Sequence, residues 1–158
     1  MFVTVLIMIV STALLFFYLQ VVCQKLLRRG FSPEFYMGIV RNNHLEFPLI
    51  RKGVEDFGSP GEYSRLNMTL KVDFLAVTYL LKNVSNNNQR YTSDDRLLIL
   101  YFQALLISLV TRHWLRLPEN STVLKLTSIL QYFSNVVGQR INTVRFGSLT
   151  TPNYLSDI

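Results

Sequence analysis

The 158-residue chain has one cysteine, two histidines and, over its first 24 positions, no charged side chain. Each scarcity excludes something. A single cysteine rules out an intramolecular disulfide framework and a paired-thiolate metal site, and it suits a reducing compartment. His44 and His113 stand in neither an H-x-x-x-H nor an E-x-x-H arrangement, so a mononuclear metal site would rest almost wholly on carboxylates. No glycine-rich phosphate loop and no G-x-S-x-G elbow occurs. Asp94 and Asp95 are adjacent; on a helix they point about 100° apart and suit helix capping better than an acid–base pair. The expectation is a non-enzymatic protein with no catalytic residue, no cofactor and no metal.

The uncharged N-terminal stretch has a positive content of its own. Twenty-four residues at about 1.5 Å each reach roughly 36 Å, more than the hydrocarbon core of about 30 Å requires. A cleavable secretory signal would carry a basic start and a small-x-small exit. Met1-Phe2-Val3-Thr4 has no cation, and Val21-Val22 before Cys23 is too bulky for signal cleavage or for lipoprotein-type modification of Cys23. Cys23 lies at the edge of the anchor, where S-palmitoylation takes place, although a small apolar residue facing lipid needs no special role. Residues 1–29 are therefore expected to form a permanent transmembrane anchor helix, apolar on every face as a chain of this size could not enclose in a soluble core.

Lys25, Arg28 and Arg29 follow the apolar run and nothing positive precedes it. That asymmetry places the N-terminus outside and the C-terminal domain in the cytoplasm, a single-pass membrane protein with these three cations as candidate lipid headgroup contacts. Three Asn-x-Ser/Thr triplets, at Asn67, Asn83 and Asn120, point the other way; with 11 asparagines in the chain they read as coincidence. The formal charge of +6 comes from cations spread between Lys25 and Arg145 and interleaved with acids, without a run. This fits a solvated or lipid-facing surface and gives no nucleic-acid groove.

Beyond the anchor, Gly30 suits a helix C-cap and Ser32-Pro33-Glu34 restarts a short juxtamembrane helix over about residues 33–42. Pro48, Gly53 and Gly58 then punctuate residues 43–59, so residues 30–59 read as a short helix and an ordered connector. Ser59-Pro60-Gly61-Glu62 is a capping box, and Leu66, Leu70, Phe74, Val77, Leu81 and Val84 follow at helical steps, predicting a helix over about residues 60–83. Thr92-Ser93-Asp94-Asp95 opens the next helix. Its apolar core, Leu97 to Val110, reaches only about 21 Å, so it reads as a central helix enclosed by its neighbours and not as a second crossing. The last helix begins near Asn120 and keeps its apolar period from Val123 through Ile141 and Val144 across Gly138, which puts that glycine inside the helix against a neighbouring backbone. Residues 60–146 are thus a helical bundle and residues 147–158 a tail. The fold class expected is all-α: one N-terminal transmembrane helix, then a small cytoplasmic bundle of about three long helices plus the short juxtamembrane one.

Elimination suggests an accessory subunit of a larger membrane protein complex of respiratory, photosynthetic, transport or secretion type. Its partners would be larger integral membrane protein subunits and membrane lipids. The anchor has no small-x-x-x-small motif, so a homo-oligomer is not expected, and Val5, Ile9, Thr12, Phe16 and Leu19 form one candidate partner face. Tyr154, Leu155 and Ile158 in the tail form another. Arg112, His113 and Arg116 are further headgroup candidates, although cations at a helix C-terminus also complement the macrodipole. The alternatives are a membrane-tethered adaptor that recruits a soluble partner, and a lipid-binding protein.

Overall fold

The computed structural model describes residues 1–28, 33–57, 63–85 and 92–149. Among them the chain is all-helical, without strands: α1 (Phe2–Leu27), α2 (Pro33–Asn43), α3 (Phe47–Phe57), α4 (Tyr63–Ser85), α5 (Ser93–Trp114) and α6 (Asn120–Leu149). The expected juxtamembrane helix is α2, and three long helices follow as the apolar periods predict.

The centre belongs to α6 and not, as hydropathy suggests, to α5. Val123, Leu126, Ile129, Leu130, Phe133 and Val137 are fully excluded from solvent, and the intervening Thr122, Thr127, Ser134 and Asn135 are buried as well. The helix is therefore enclosed on nearly every side, by α2, α3, α4, α5 and the end of α1. Its polar positions made it look amphipathic in sequence. Small hydroxyl residues can be enclosed at low cost when they bond their own backbone, as the Thr127 hydroxyl does to the Leu124 carbonyl at 3.0 Å. By contrast α5 turns Leu98, Tyr101, Phe102, Leu105 and Leu109 inward and leaves Leu100, Ile107 and Val110 exposed. The junction of the long helices is aromatic: Phe74 of α4 stacks on Phe102 of α5 at 4.0 Å and meets Phe133 of α6 at 6.4 Å.

The connector expected over residues 43–59 contains a helix, α3, which carries Phe47, Ile50 and Val54 at helical spacing onto the core. Its start signal is not local. Asp73, in the middle of α4, accepts hydrogen bonds from the backbone N–H of Glu46 at 3.0 Å and of Phe47 at 2.7 Å, and so caps a helix that begins 26 residues earlier. Pro48 sits in the first turn, where no donor is needed. Within the stretch expected as a short helix and an ordered connector, Ile39, Leu45, Phe47 and Val54 belong to the same core as α4, α5 and α6.

The other domain boundaries shift for related reasons. Cys23 and Leu26 are buried and Leu19, Val22 and Leu27 pack beside them, so the last turns of the expected anchor are part of the core. α6 continues to Leu149, past the expected tail boundary at residue 147. α5 opens at the capping residues expected there, and the structure joins two of them in a capping box: Thr92 Oγ1 accepts from the Asp95 N–H at 3.3 Å, and Asp95 Oδ2 accepts from the Thr92 N–H at 3.1 Å. The same Asp95 oxygen receives Arg140 Nη2 of α6 at 2.9 Å, which ties the start of α5 to α6 through a buried ion pair.

Gly138 lies inside α6, and a Cβ there would stand 2.5 Å from the Phe35 backbone oxygen of α2. A carbonyl fixed in a helix cannot swing away. Gly138→Ala should therefore lower stability by about 1–2 kcal/mol, because overpacking outweighs the gain of about 0.5–1 kcal/mol in helix propensity. Gly53→Ala, with nothing within 4 Å of its Cβ position, should raise stability by that propensity gain; thermal unfolding of the two variants should shift in opposite directions.

Burial pushes the Asp73 carboxyl above its ordinary range, opposed by the hydrogen bonds from Phe47 and Glu46. A folded-state pKa above the unfolded one means that the native state binds the proton more tightly, so stability from this group falls as pH rises above the usual aspartate value. Asp73→Asn, which keeps an acceptor oxygen and cannot ionise, should flatten that part of the stability–pH curve. Asp73→Ala removes the acceptor and should cost about 1–2 kcal/mol in denaturant titrations.

Candidate functional site

Three surfaces are candidates for function, and each is positioned by how α1, α5 and α6 meet. The first is α1 itself. From Met1 to Tyr18 every residue is exposed, a length of about 27 Å at the helical rise. Val5, Ile9, Thr12 and Phe16, the expected partner face, lie on this free portion, and Met8, Ile9, Thr12, Ala13 and Phe16 line a shallow groove along it. The Thr12 hydroxyl returns to the Met8 carbonyl at 2.7 Å, so it presents little polarity outward. Leu19, the fifth member of the face, instead packs against the domain core. Cys23 is fully buried there, which closes its thiol to acylation.

The second surface lies where α1 ends. Lys25 and Arg28 are exposed at this end, whereas Arg29 lies outside the described residues. Gln24, Leu27 and Arg28 face Ser121, Leu124, Lys125 and Ser128 of α6 across a groove of about 480 Å³, within the range of small-molecule sites. Leu27 and Leu124 are its apolar members, and among the described residues that line it Arg28 and Lys125 are cations and none is a carboxylate. Lys125 was not a candidate in the sequence, because nothing in the spacing of α6 tells which of its faces meets α1.

The third surface is the corner between α5 and α6, and it gathers the remaining headgroup candidates. Arg112 Nη1 donates to the Pro118 carbonyl at 3.0 Å, and His113 Nδ1 is bonded to Glu119 Oε1 at 2.8 Å. The His113 ring also stacks on Tyr63 of α4, centroids 3.6 Å apart and planes 6° from parallel. Burial and the Glu119 charge both raise the Tyr63 phenol above its ordinary pKa. Arg112 and His113 thus fasten the corner. The backbone closes it with Leu117 N–H donating to Arg112 O at 2.9 Å and Arg116 N–H to His113 O at 3.1 Å, a Schellman-type ending. Arg116 occupies its left-handed position with φ 52. The tip so held presents Trp114, Leu115 and Leu117 to solvent, Trp114 at 87 % exposure.

Tyr154, Leu155 and Ile158 fall outside the described residues. Among the described residues no cluster of His, Cys, Asp and Glu could hold a metal ion. Two helices there, α1 and α5, are long and apolar enough to cross a membrane; at 22 residues α5 exceeds the 14-residue apolar stretch read from sequence. Compared with known protein families, curated proteins and solved structures, the chain matches none.

The positive φ at Arg116 makes a direct test of the corner. Glycine has no Cβ penalty in the left-handed region, so Arg116→Gly should stabilise the domain by about 1 kcal/mol, visible as a higher melting temperature. A fall in melting temperature would mean that the Arg116 side chain has a stabilising partner.

Proposed function

We propose that the chain is an accessory subunit of a larger membrane protein complex, crossing the bilayer once through α1 and holding its domain on the cytoplasmic side. The observation that carries the reading is apolar surface at helical spacing that the described residues leave exposed. On α4, Met68, Val72, Leu75 and Tyr79 recur at steps of four, three and four and are all exposed; on α5, Leu100, Ile107 and Val110, at steps of seven and three, are exposed as well. Rows of this kind, longer than scattered surface residues, favour a protein partner.

The free portion of α1 is about as long as the hydrocarbon core is thick, and its cations all lie beyond that portion. With Cys23 and Leu26 in the core, the domain would sit directly under the headgroups with no linker. Two of the three glycosylation-type triplets support the cytoplasmic side: Asn67 and Asn83 lie within α4, and the Asn67 Oδ1 is buried, whereas acceptor asparagines sit on surface loops. The exposed tip at Trp114, Leu115 and Leu117 favours the alternative of a tethered adaptor that grips a soluble partner.

Two measurements test the proposal. Extraction of the full chain in a mild detergent at native expression should bring a larger membrane protein with it in fixed stoichiometry; a monomer in several gentle detergents would leave the adaptor. For topology, single cysteines at Asn87 and Leu117 should both resist an impermeant thiol reagent in intact cells. Labelling at both would reverse the orientation, labelling at Leu117 alone would make α5 a second crossing, and labelling at Asn87 alone would do both.

A further inference from the structure

We propose that the groove between the end of α1 and the start of α6 binds the phosphate of an anionic phospholipid. The inference rests on the anchored reading above. Arg28 and Lys125 stand on its two facing helices, Gln24 and Ser121 add hydrogen-bonding groups, and Leu27 and Leu124 supply apolar lining. Among the described residues no carboxylate lines the groove to neutralise the Arg28 guanidinium and the Lys125 ammonium.

Its depth selects a lipid. If the hydrocarbon core ends with the free portion of α1 at Tyr18, Gln24 to Arg28 lie about 9–15 Å beyond it, where the long Arg28 side chain can reach back to the headgroup phosphates. Two cations and two leucines lining one groove match a phosphodiester with the first methylenes of its chains. A free inorganic phosphate would meet the same cations but gain nothing from Leu27 and Leu124. The first two turns of α6 form one wall, so its positive dipole end adds to the attraction. A lipid seated here would bridge the anchor to the central helix.

The test uses the full chain in mild detergent, with native mass spectrometry reading retained lipid after addition of phosphatidylglycerol or phosphatidylcholine. The wild type should retain phosphatidylglycerol preferentially. Removing each cation, by Arg28→Gln and Lys125→Gln, should weaken that preference about fivefold, and the pair about 25-fold. Lys125→Arg should keep it. The pair Lys52→Gln and Lys71→Gln, which removes the same charge from α3 and α4, should leave the preference unchanged; an equal loss in this pair would reduce the effect to net charge and overturn the site. Equal retention of the two lipids by the wild type would also overturn it. Displacement of the lipid by millimolar inorganic phosphate would make the groove a site for a soluble anion and overturn the lipid assignment. Alkaline extraction of the same preparations reads membrane insertion separately, so failure of the anchor and failure of the groove are told apart.

Discussion

The enclosure of α6 is the constraint on which the other helices depend. Six apolar side chains from Val123 to Val137 have no solvent exposure, and full burial of each contributes about 1.5–3 kcal/mol relative to an exposed position. These six share one face, and buried Thr127, Tyr132, Asn135 and Val136 extend the enclosed surface around most of the helix, so no single neighbour could cover it. The two short helices, two long ones and the last turns of α1 each seal a sector. At Gly138 the closeness of this packing reaches the backbone itself, where only the absence of a Cβ lets the Phe35 carbonyl of α2 approach.

Two buried carboxylates set how the sectors are arranged. Asp73 holds the start of α3 from α4, and Asp95 combines a local cap with an ion pair to Arg140 of α6. Both are nearly sealed from water, at 4 % and 1 % exposure, and both satisfy backbone N–H groups that a helix N-terminus leaves without partners. Their role is positional. A buried ion pair adds little net stability over a well-packed apolar pair, yet leaving either charge alone is costly, so alternative placements of α5 on α6 are disfavoured.

The same continuity joins α1 to the domain. Its final turns share a core with α5 and α6, so a tilt or rotation of the free, apolar portion would be transmitted to the helices that display Leu100, Ile107 and Val110 and the tip at Trp114. An anchor on a flexible linker would allow no such coupling. Whatever covers the exposed rows of α4 and α5 would then experience the orientation of α1 directly.

The six-helix pattern was largely legible in order along the chain, because apolar period, capping residues and glycine or proline stops are local signals. α2, α4, α5 and α6 begin and end within a few residues of where those signals fall, and Gly138 declared itself by interrupting nothing. α3 was hidden because its cap, Asp73, is 26 residues distant, and the connector's Pro48 and Gly53 look like breakers to any local rule. The cations Lys25 and Arg28 marked the end of the apolar run, but Lys125 gains its place beside Arg28 only when α1 and α6 meet. His113 and Arg112 looked like free ligands in sequence and are engaged by Glu119, Tyr63 and Pro118 once the corner closes. The sequence by itself determined that the chain is helical, where most helices lie and that its first residues are too apolar for water, since these follow from side chains and their neighbours a turn away. Which helix is enclosed, which faces stay bare and which charges meet were decided by tertiary structure, because burial depends on contacts between segments that no local period encodes.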